Sequence, residues 1–93
     1  MKANEQQAAV VKILYFARLR ESLGKAEEEL VLPDSVRSIG DLLTHLRARG
    51  AEWESELGVG RAVRVAVNQD IADTDTPIAG TEEIAFFPPV TGG

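Results

Sequence analysis

The sequence contains no cysteine and only one histidine, His45. The absence of cysteine excludes disulfides, thiolate catalysis and thiolate metal sites together. A single histidine cannot form a metal cluster alone, and no carboxylates stand around His45 at the spacing of metal ligands. We therefore expect no metal site, and we expect His45 to be a solvent-facing helix residue.

The chain also lacks a basic cluster and a long apolar run. Ten lysine and arginine residues stand against 15 acidic ones, a formal net charge of −5, whereas nucleic-acid-binding domains usually carry a basic patch. A membrane helix needs about 18 or more apolar residues, and the mostly apolar residues 8–17 are interrupted by Lys12. That stretch has no small-residue cleavage site, so it predicts a strand and not a signal peptide. We expect a cytoplasmic protein with no nucleic-acid or membrane partner.

The length of 93 residues, with 44% hydrophobic and 27% charged residues, is typical of one globular domain. The sequence shows no repeat and no internal linker. Residues 1–9 are polar without apolar periodicity, which predicts a flexible leader. Residues 10–89 would form the domain, and residues 90–93 an extended tail.

Alternating apolar residues predict the strands, because successive side chains of a strand point to opposite faces. Three side chains of the first strand, residues 10–16, would share one face: Val11, Ile13 and Tyr15. Leu14 and Phe16 would lie on the other face beside Lys12. Large apolar groups on that wetter face indicate either a partner surface or cover by another segment of the chain. Further strands are predicted at residues 27–32, 61–68, 71–72 and 83–87.

The clearest helix signal lies between the second and third strands. Ser38 can cap it, and an apolar stripe follows at helical spacing: Ile39, Leu42, Leu43 and Leu46. Arg47 and Arg49 suit the negative end of the helix dipole, and Gly50 would end the helix. This helix is expected to lie across the sheet.

Short helices and turns connect the remaining elements. Residues 17–23 could form two helical turns before a left-handed Gly24, and residues 52–57 one further turn. Residues 68–70 and 80–81 predict turns. One sheet with one main helix on its inner face gives an α+β roll, with a mixed sheet of about five strands.

The sequence ends in two aromatics, two prolines and two glycines: Phe86-Phe87-Pro88-Pro89-Val90-Thr91-Gly92-Gly93. Prolines stiffen the exit from the last strand, and glycines fit a channel too narrow for other residues. Chain ends are usually frayed, so Gly-Gly alone is as compatible with an unimportant terminus or an expression remnant as with a functional tail. If the first and last strands are neighbours, Phe16 and Phe87 fall together beside this tail.

Three stretches carry a family resemblance: ILYFARLRE at residues 13–21, AVNQ at 66–69 and AFFPPVTGG at 85–93. Together they resemble the small subunit of molybdopterin synthase, in the ubiquitin-like sulfur-carrier family. The resemblance covers residues 10–93 and implies the β-grasp (ubiquitin-like) fold. One departure is Gly80, which stands one place earlier than in the acidic-Gly-acidic turn common in that family.

The resemblance implies a sulfur carrier. An E1-like adenylyltransferase would use ATP to adenylate the carboxylate of Gly93, and a sulfur donor protein would convert it to a thiocarboxylate. The tail would then enter the large synthase subunit, in a heterotetramer, and donate sulfur to cyclic pyranopterin monophosphate to build the dithiolene of molybdopterin. The carrier would bind no cofactor tightly and would not be catalytic alone, so its status as an enzyme stays open.

The resemblance also assigns roles to single residues. Gly93 would carry the sulfur, and Gly92 would let the tail pass. Four residues would complete the thread, the prolines among them lowering the entropy lost on insertion: Thr91, Val90, Pro89 and Pro88. Three positions would meet the large subunit: Phe87, Phe16 and Ile71. Arg20 would contact an acidic patch of the activating enzyme, although a solvated surface arginine explains it equally well.

Three other functions stay open on the sequence. One is a related carrier for thiamine or tRNA thiolation, which shares the fold and activation, although the Phe-Phe-Pro-Pro segment argues against it. Another is a protein modifier joined to lysines through Gly93. The last is a plain interaction domain whose tail does no chemistry.

Overall fold

A computed structural model describes residues 9–58, 60, 62–78 and 83–89 of the chain. Five strands lie within them: β1 (Ala9–Tyr15), β2 (Glu27–Leu32), β3 (Arg64–Val67), β4 (Asp70–Ala72) and β5 (Glu83–Phe87). The helices described there are α1 (Arg18–Leu23), α2 (Ile39–Arg47) and α3 (Ala51–Leu57). This confirms the predicted order, with β1 starting one residue early and α3 longer than one turn. The predicted turn at residues 80–81 and most of the leader lie outside the described residues.

The described strands form one mixed sheet in the order β2-β1-β5-β3-β4. The first and last strands lie side by side and parallel, with Ile13 opposite Ile84 and Tyr15 opposite Phe86. The β1–β2, β3–β4 and β3–β5 pairs are antiparallel. The predicted α+β roll is confirmed, and β5 runs through the middle of the sheet.

The helices cover one face of this sheet, which we call the inner face. Ile13 and Ile84 from the central strands are fully buried there, and burying a side chain of this size contributes about 1.5–3 kcal/mol. Leu43, which was predicted in the buried stripe of α2, is only partly buried. One core joins the sheet to all three helices: Val11, Ile13, Tyr15, Leu19, Leu32, Ile39, Leu42, Leu46, Leu57, Val65, Ile78, Ile84 and Phe86.

The start of α2 is capped by a side chain and by a neighbouring loop. Ser38 Oγ accepts the N–H of Asp41 at 3.2 Å, as its capping role predicted. The N–H groups of Ile39 and Gly40 donate to the carbonyls of Thr76 and Thr74, at 3.0 and 2.9 Å. These bonds satisfy donors that a helix start leaves free, and they tie α2 to the loop after β4.

The end of α2 differs from the prediction. The helix ends at Arg47 with Ala48 as its C-cap, so the predicted stop at Gly50 is wrong. Gly50 instead precedes α3, and its carbonyl accepts the N–H of Glu54 at 3.0 Å. Arg47 donates to the carbonyl of Leu57 at 3.1 Å, at the end of α3. The final turns of α2 and α3 are thereby held together.

Candidate functional site

The outer face of the sheet, opposite the helices, carries an apolar row across four strands. Leu14 of β1 lies opposite Ala85 of β5, Ala85 lies opposite Ala66 of β3, and Ala66 lies opposite Ile71 of β4. Ile71 is the most exposed member, at 71%, whereas Leu14 and Ala85 are half-buried and Ala66 is buried. A partly exposed apolar surface of this kind is typical of a partner-binding region.

Two aromatic residues extend this row at the end where β1 and β5 finish. The backbone N–H of Phe16 donates to the carbonyl of Phe86 at 3.1 Å, continuing the parallel ladder past β1. Phe87 ends β5, and alternation along the two strands places Phe16 and Phe87 on the outer face. Phe16 is 46% exposed and Phe87 is half-buried. The predicted adjacency of the two strands is therefore confirmed.

We call these six residues the outer apolar face: Leu14, Phe16, Ala66, Ile71, Ala85 and Phe87. A polar row bounds it at the other end, where Lys12 lies between Glu29 and Glu83 in the sheet. Beyond that row, Val10 and Val31 form a separate exposed pair. The outer apolar face is thus confined to the end of the sheet from which the chain continues into residues 88–93.

The turn after Phe16 is strained. Ala17 has φ 55° and ψ −129°, and the N–H of Leu19 donates to the carbonyl of Phe16 at 3.1 Å. This is the geometry of a type II′ turn, whose first central position favours glycine, so a residue with a side chain costs about 1–3 kcal/mol there. The turn leaves Phe16 exposed while it directs Leu19 into the core. Nothing in the residues around Ala17 predicted this strain.

The predicted site residues fall into three groups. Phe16, Phe87 and Ile71 all lie on the outer apolar face, as described above. Arg20 lies on α1, exposed, and its side chain has no bonding partner among the described residues. Pro88 and Pro89 are half-buried, and the other tail residues lie outside the described part of the chain: Val90, Thr91, Gly92 and Gly93. The roles assigned to all ten stay predictions.

A polar cluster that the sequence did not predict lies on the inner face, centred on Glu28. Tyr15 donates its hydroxyl to Glu28 at 2.6 Å, and Arg49 donates to both carboxylate oxygens at 2.8 and 3.2 Å. Lys25 Nζ lies 3.3 Å from the same carboxylate. The Arg49 guanidinium stands 4.6 Å from the ring centre of Trp53, in cation–π geometry. Arg49 therefore joins the helix pair to the sheet, which corrects its predicted role at the end of α2.

The titration of this cluster favours a structural role. Burial, reinforced by the hydrogen bond to Glu28, raises the pKa of Tyr15. Burial alone would raise the pKa of Glu28 as well, but the hydrogen bonds from Arg49 and Tyr15 outweigh it and hold that pKa below its usual range. At neutral pH, Tyr15 is a neutral donor and Glu28 is an ionised acceptor.

Other kinds of site find little support in the described residues. No group of three or more His, Asp or Glu side chains there is placed to hold a metal ion. The helices in that part of the chain are too short or too polar to cross a membrane.

The fold and the outer face define a class of protein. A mixed five-stranded sheet with helices on one face and parallel first and last strands is the ubiquitin-like β-grasp architecture, shared with solved neighbours. A model of the ThiS family matches residues 13–93. The chain belongs to the ThiS family, as its similarity to curated relatives also shows.

Three proteins illustrate the similarity. The molybdopterin synthase sulfur carrier subunit of Escherichia coli K12 is 36% identical over 84 residues, covering 90% of this chain and 100% of that protein. The protein of the same name from Haemophilus influenzae is 34% identical over 88 residues, covering 90% and 100%. The crystal structure of SAMP1 from Haloferax volcanii has a TM-score of 0.72 at 27% identity, covering 91% and 100%. The resemblance to the synthase small subunit is thereby confirmed.

Proposed function

We propose that this chain is the sulfur-carrying small subunit of a molybdopterin synthase, working in the cytoplasm. The observation that carries the proposal is the parallel pairing of β1 with β5. This pairing places Phe16 and Phe87 together on the outer apolar face, where the chain continues into Pro88 and the Gly-Gly terminus. Membership of the ThiS family and the names of the relatives described above support the proposal.

The proposed chemistry takes place at the last residue of the sequence. In an E1-like adenylyltransferase, the carboxylate of Gly93 attacks the α-phosphate of ATP, and pyrophosphate leaves. The resulting acyl-adenylate makes the carboxyl carbon electrophilic. The outer sulfur of a persulfide on the sulfur donor protein attacks that carbon and displaces AMP, which forms an acyl disulfide. A thiol then reduces this disulfide, so that the donor is released and the thiocarboxylate remains on Gly93. ATP is consumed by the activating enzyme, so the carrier needs no tightly bound cofactor.

Sulfur delivery requires docking on a second partner. The outer apolar face would dock on the large synthase subunit, in a heterotetramer, while the tail enters that subunit. Pro88 and Pro89 restrict the tail to extended conformations, which lowers the entropy lost on insertion. Gly92 passes a narrow channel because it has no side chain. Two successive deliveries would convert cyclic pyranopterin monophosphate to molybdopterin.

The decisive experiment compares the full chain with a chain that lacks Gly93. Each carrier is combined with the activating enzyme, the sulfur donor, ATP, the large subunit and the pterin precursor. We expect dithiolene only from the full chain, while both carriers unfold at the same temperature because Gly93 follows the last strand. Dithiolene formed by the truncated carrier would refute the proposal. Intact mass after activation should show one oxygen replaced by sulfur, localised to Gly93.

A protein modifier is the second candidate, favoured by the likeness to SAMP1, a small archaeal modifier protein. Gly93 would then form an isopeptide bond with a lysine of a target protein. Gly93-linked peptides in digested cell lysate would support this function. A related carrier for thiamine or tRNA thiolation would gain sulfur in the same way, so the partner that binds the loaded carrier separates it from a synthase subunit.

A further inference from the structure

One cation stands at the aromatic end of the outer apolar face. Arg64 of β3 lies directly opposite Phe87 of β5 in the sheet. It shares the outer side of β3 with Ala66, two residues further along, and it is exposed. Residues opposite one another in antiparallel strands have Cβ atoms about 4.5–5.5 Å apart. A partner that covers Phe87 therefore also covers Arg64.

Arg64 differs from most other cations of the described chain, because its side chain has no partner there. Arg18 lies 3.4 Å from Glu56, and Lys12 lies 3.9 Å from Glu27. Three other cations also have partners: Lys25 and Arg49 on Glu28, and Arg37 on the carbonyl of Asp34. Arg47 donates to the carbonyl of Leu57. Among the described residues, only Arg20 shares the unpaired condition of Arg64.

This isolation has a physical consequence for any interface formed on the outer apolar face. The whole chain carries a net charge of −5, so a shortage of acidic residues does not explain why Arg64 has no partner among the described residues. A solvated guanidinium needs no partner, but a guanidinium covered by an apolar interface loses its hydration and must gain acceptors in return. The planar donors of arginine match a carboxylate through two parallel hydrogen bonds.

We infer that Arg64 is a specificity-determining docking residue, which pairs with an aspartate or glutamate of the large synthase subunit. The inference rests on the proposed function. The partner surface is apolar opposite Phe87, with the acidic residue beside the opening that receives the tail. A similar apolar surface with a basic or neutral residue at that point is rejected, because the charge of Arg64 is then buried without compensation.

Arg64 acts in docking and not in the chemistry. Gly93 lies six positions after Phe87 in the sequence, and an extended chain advances about 3.3–3.6 Å per residue. In the extended tail that insertion requires, the reacting carboxylate lies about 20 Å beyond the end of β5. Arg64 stays at the base of the tail, so its removal changes the affinity of the complex and leaves the reactivity of the thiocarboxylate unaltered.

The experiment measures the affinity of the carrier for the purified large subunit by calorimetry at two salt concentrations. Arg64→Gln should weaken binding about 10-fold and Arg64→Glu about 100-fold, since truncating or reversing one partner of a covered charge pair is costly. The wild-type affinity should fall more steeply with salt than that of Arg64→Gln. Matched controls are Arg37→Gln and Arg37→Glu, whose exposed side chain lies before α2 and outside the outer face; they should bind within about 2-fold of wild type.

A charge exchange identifies the acidic partner. Each surface aspartate or glutamate of the large subunit is changed to arginine in turn, and one such change should restore binding to Arg64→Glu while it weakens binding to the wild type. The unfolding midpoints of all carrier variants are compared. Arg64→Lys, which keeps the charge, should bind the large subunit more tightly than Arg64→Gln.

Three results would overturn the inference. If Arg64→Glu binds the large subunit with wild-type affinity, Arg64 lies outside the interface and the proposed function is unaffected. If the carrier self-associates and Arg64→Glu abolishes that self-association, the outer apolar face binds a second copy of the chain. A loss of affinity only for the activating enzyme would assign Arg64 to that partner. Failure of the wild-type carrier to bind the large subunit would instead refute the proposed function itself.

Discussion

Asn68 and Glu83 exchange two hydrogen bonds, although they lie 15 positions apart in the sequence. Asn68 Oδ1 accepts the backbone N–H of Glu83 at 3.0 Å, and the backbone N–H of Asn68 donates to the Glu83 carbonyl at 2.8 Å. Asn68 and Gln69 both have positive φ, 49° and 75°, as a two-residue type I′ hairpin requires. The AVNQ motif thus closes the β3–β4 hairpin and fixes the first residue of β5, the strand that leads to the tail.

Replacing Asn68 separates the contributions of the turn and the hydrogen bond. Asn68→Ala should lower the free energy of unfolding by about 1–3 kcal/mol, because Glu83 loses its acceptor and alanine tolerates positive φ poorly. Asn68→Asp keeps an acceptor oxygen and should stay closer to wild type. Urea denaturation followed by circular dichroism measures both. Equal stability of the alanine and aspartate variants would show that the side-chain bond contributes nothing.

Glu28 should govern the loss of stability in acid. Its folded-state pKa is lowered relative to the ordinary value of 4.5, so its contribution is full above that value and is lost as the pH falls through the folded pKa. Glu28→Gln should flatten the decline of unfolding free energy below pH 4.5 and cost about 1.5–3 kcal/mol at neutral pH, because Arg49 loses a charged acceptor. Glu27→Gln, at the exposed neighbouring position, is the control. An unchanged acid decline in Glu28→Gln would contradict the role of the cluster.

Tyr15 should govern stability at the alkaline end. Its folded pKa is raised above the ordinary value of 10.0, so the neutral hydroxyl contributes fully below pH 10 and is lost as the pH rises toward the folded pKa. Tyr15→Phe keeps the ring, which stacks on Phe86, and should remove this alkaline component of the stability profile. Thermal unfolding between pH 7 and 11 tests it. If the wild type and Tyr15→Phe lose stability equally as the pH rises, groups other than Tyr15 cause that loss.

Ile71 tests the outer apolar face without disturbing the core. It is 71% exposed on an edge strand, so Ile71→Asp should change stability by about 0.5 kcal/mol or less. Binding to the large synthase subunit should weaken at least about 10-fold, because the carboxylate would enter an apolar contact. Val31→Asp is the matched control, since Val31 is 61% exposed beyond the polar row of Lys12. Equal losses of affinity in the two variants would place the interface elsewhere.

Features encoded by neighbouring residues were predictable from the sequence. Alternation in the first strand identified Ile13 as buried and Phe16 as exposed, because side-chain direction in a strand depends only on position. The Ser38 cap was predictable because its bonding partner is three residues away. The exposed location of Phe16 was therefore predictable, and its position beside Phe87 followed once the two strands were assumed to be neighbours.

Features that depend on distant residues were not predictable. Glu28 and Arg49 are 21 residues apart, and only packing of the helices on the sheet brings them together. Helix-end rules therefore assigned Arg49 to α2, whereas a charged partner and the ring of Trp53 bind it in the fold. The absence of a partner for Arg64 among the described residues was hidden for the same reason, because it depends on where distant carboxylates lie.

The parallel pairing of β1 with β5 has a mechanical consequence. A pull on the tail acts along β5, which is bonded to β1 on one side and to β3 on the other. The force therefore loads both rows of hydrogen bonds in shear, whereas an edge strand pulled from its end peels away one bond at a time. Under the proposed function, the activating enzyme and the large subunit would each draw the tail into a channel and release it while the carrier stays folded.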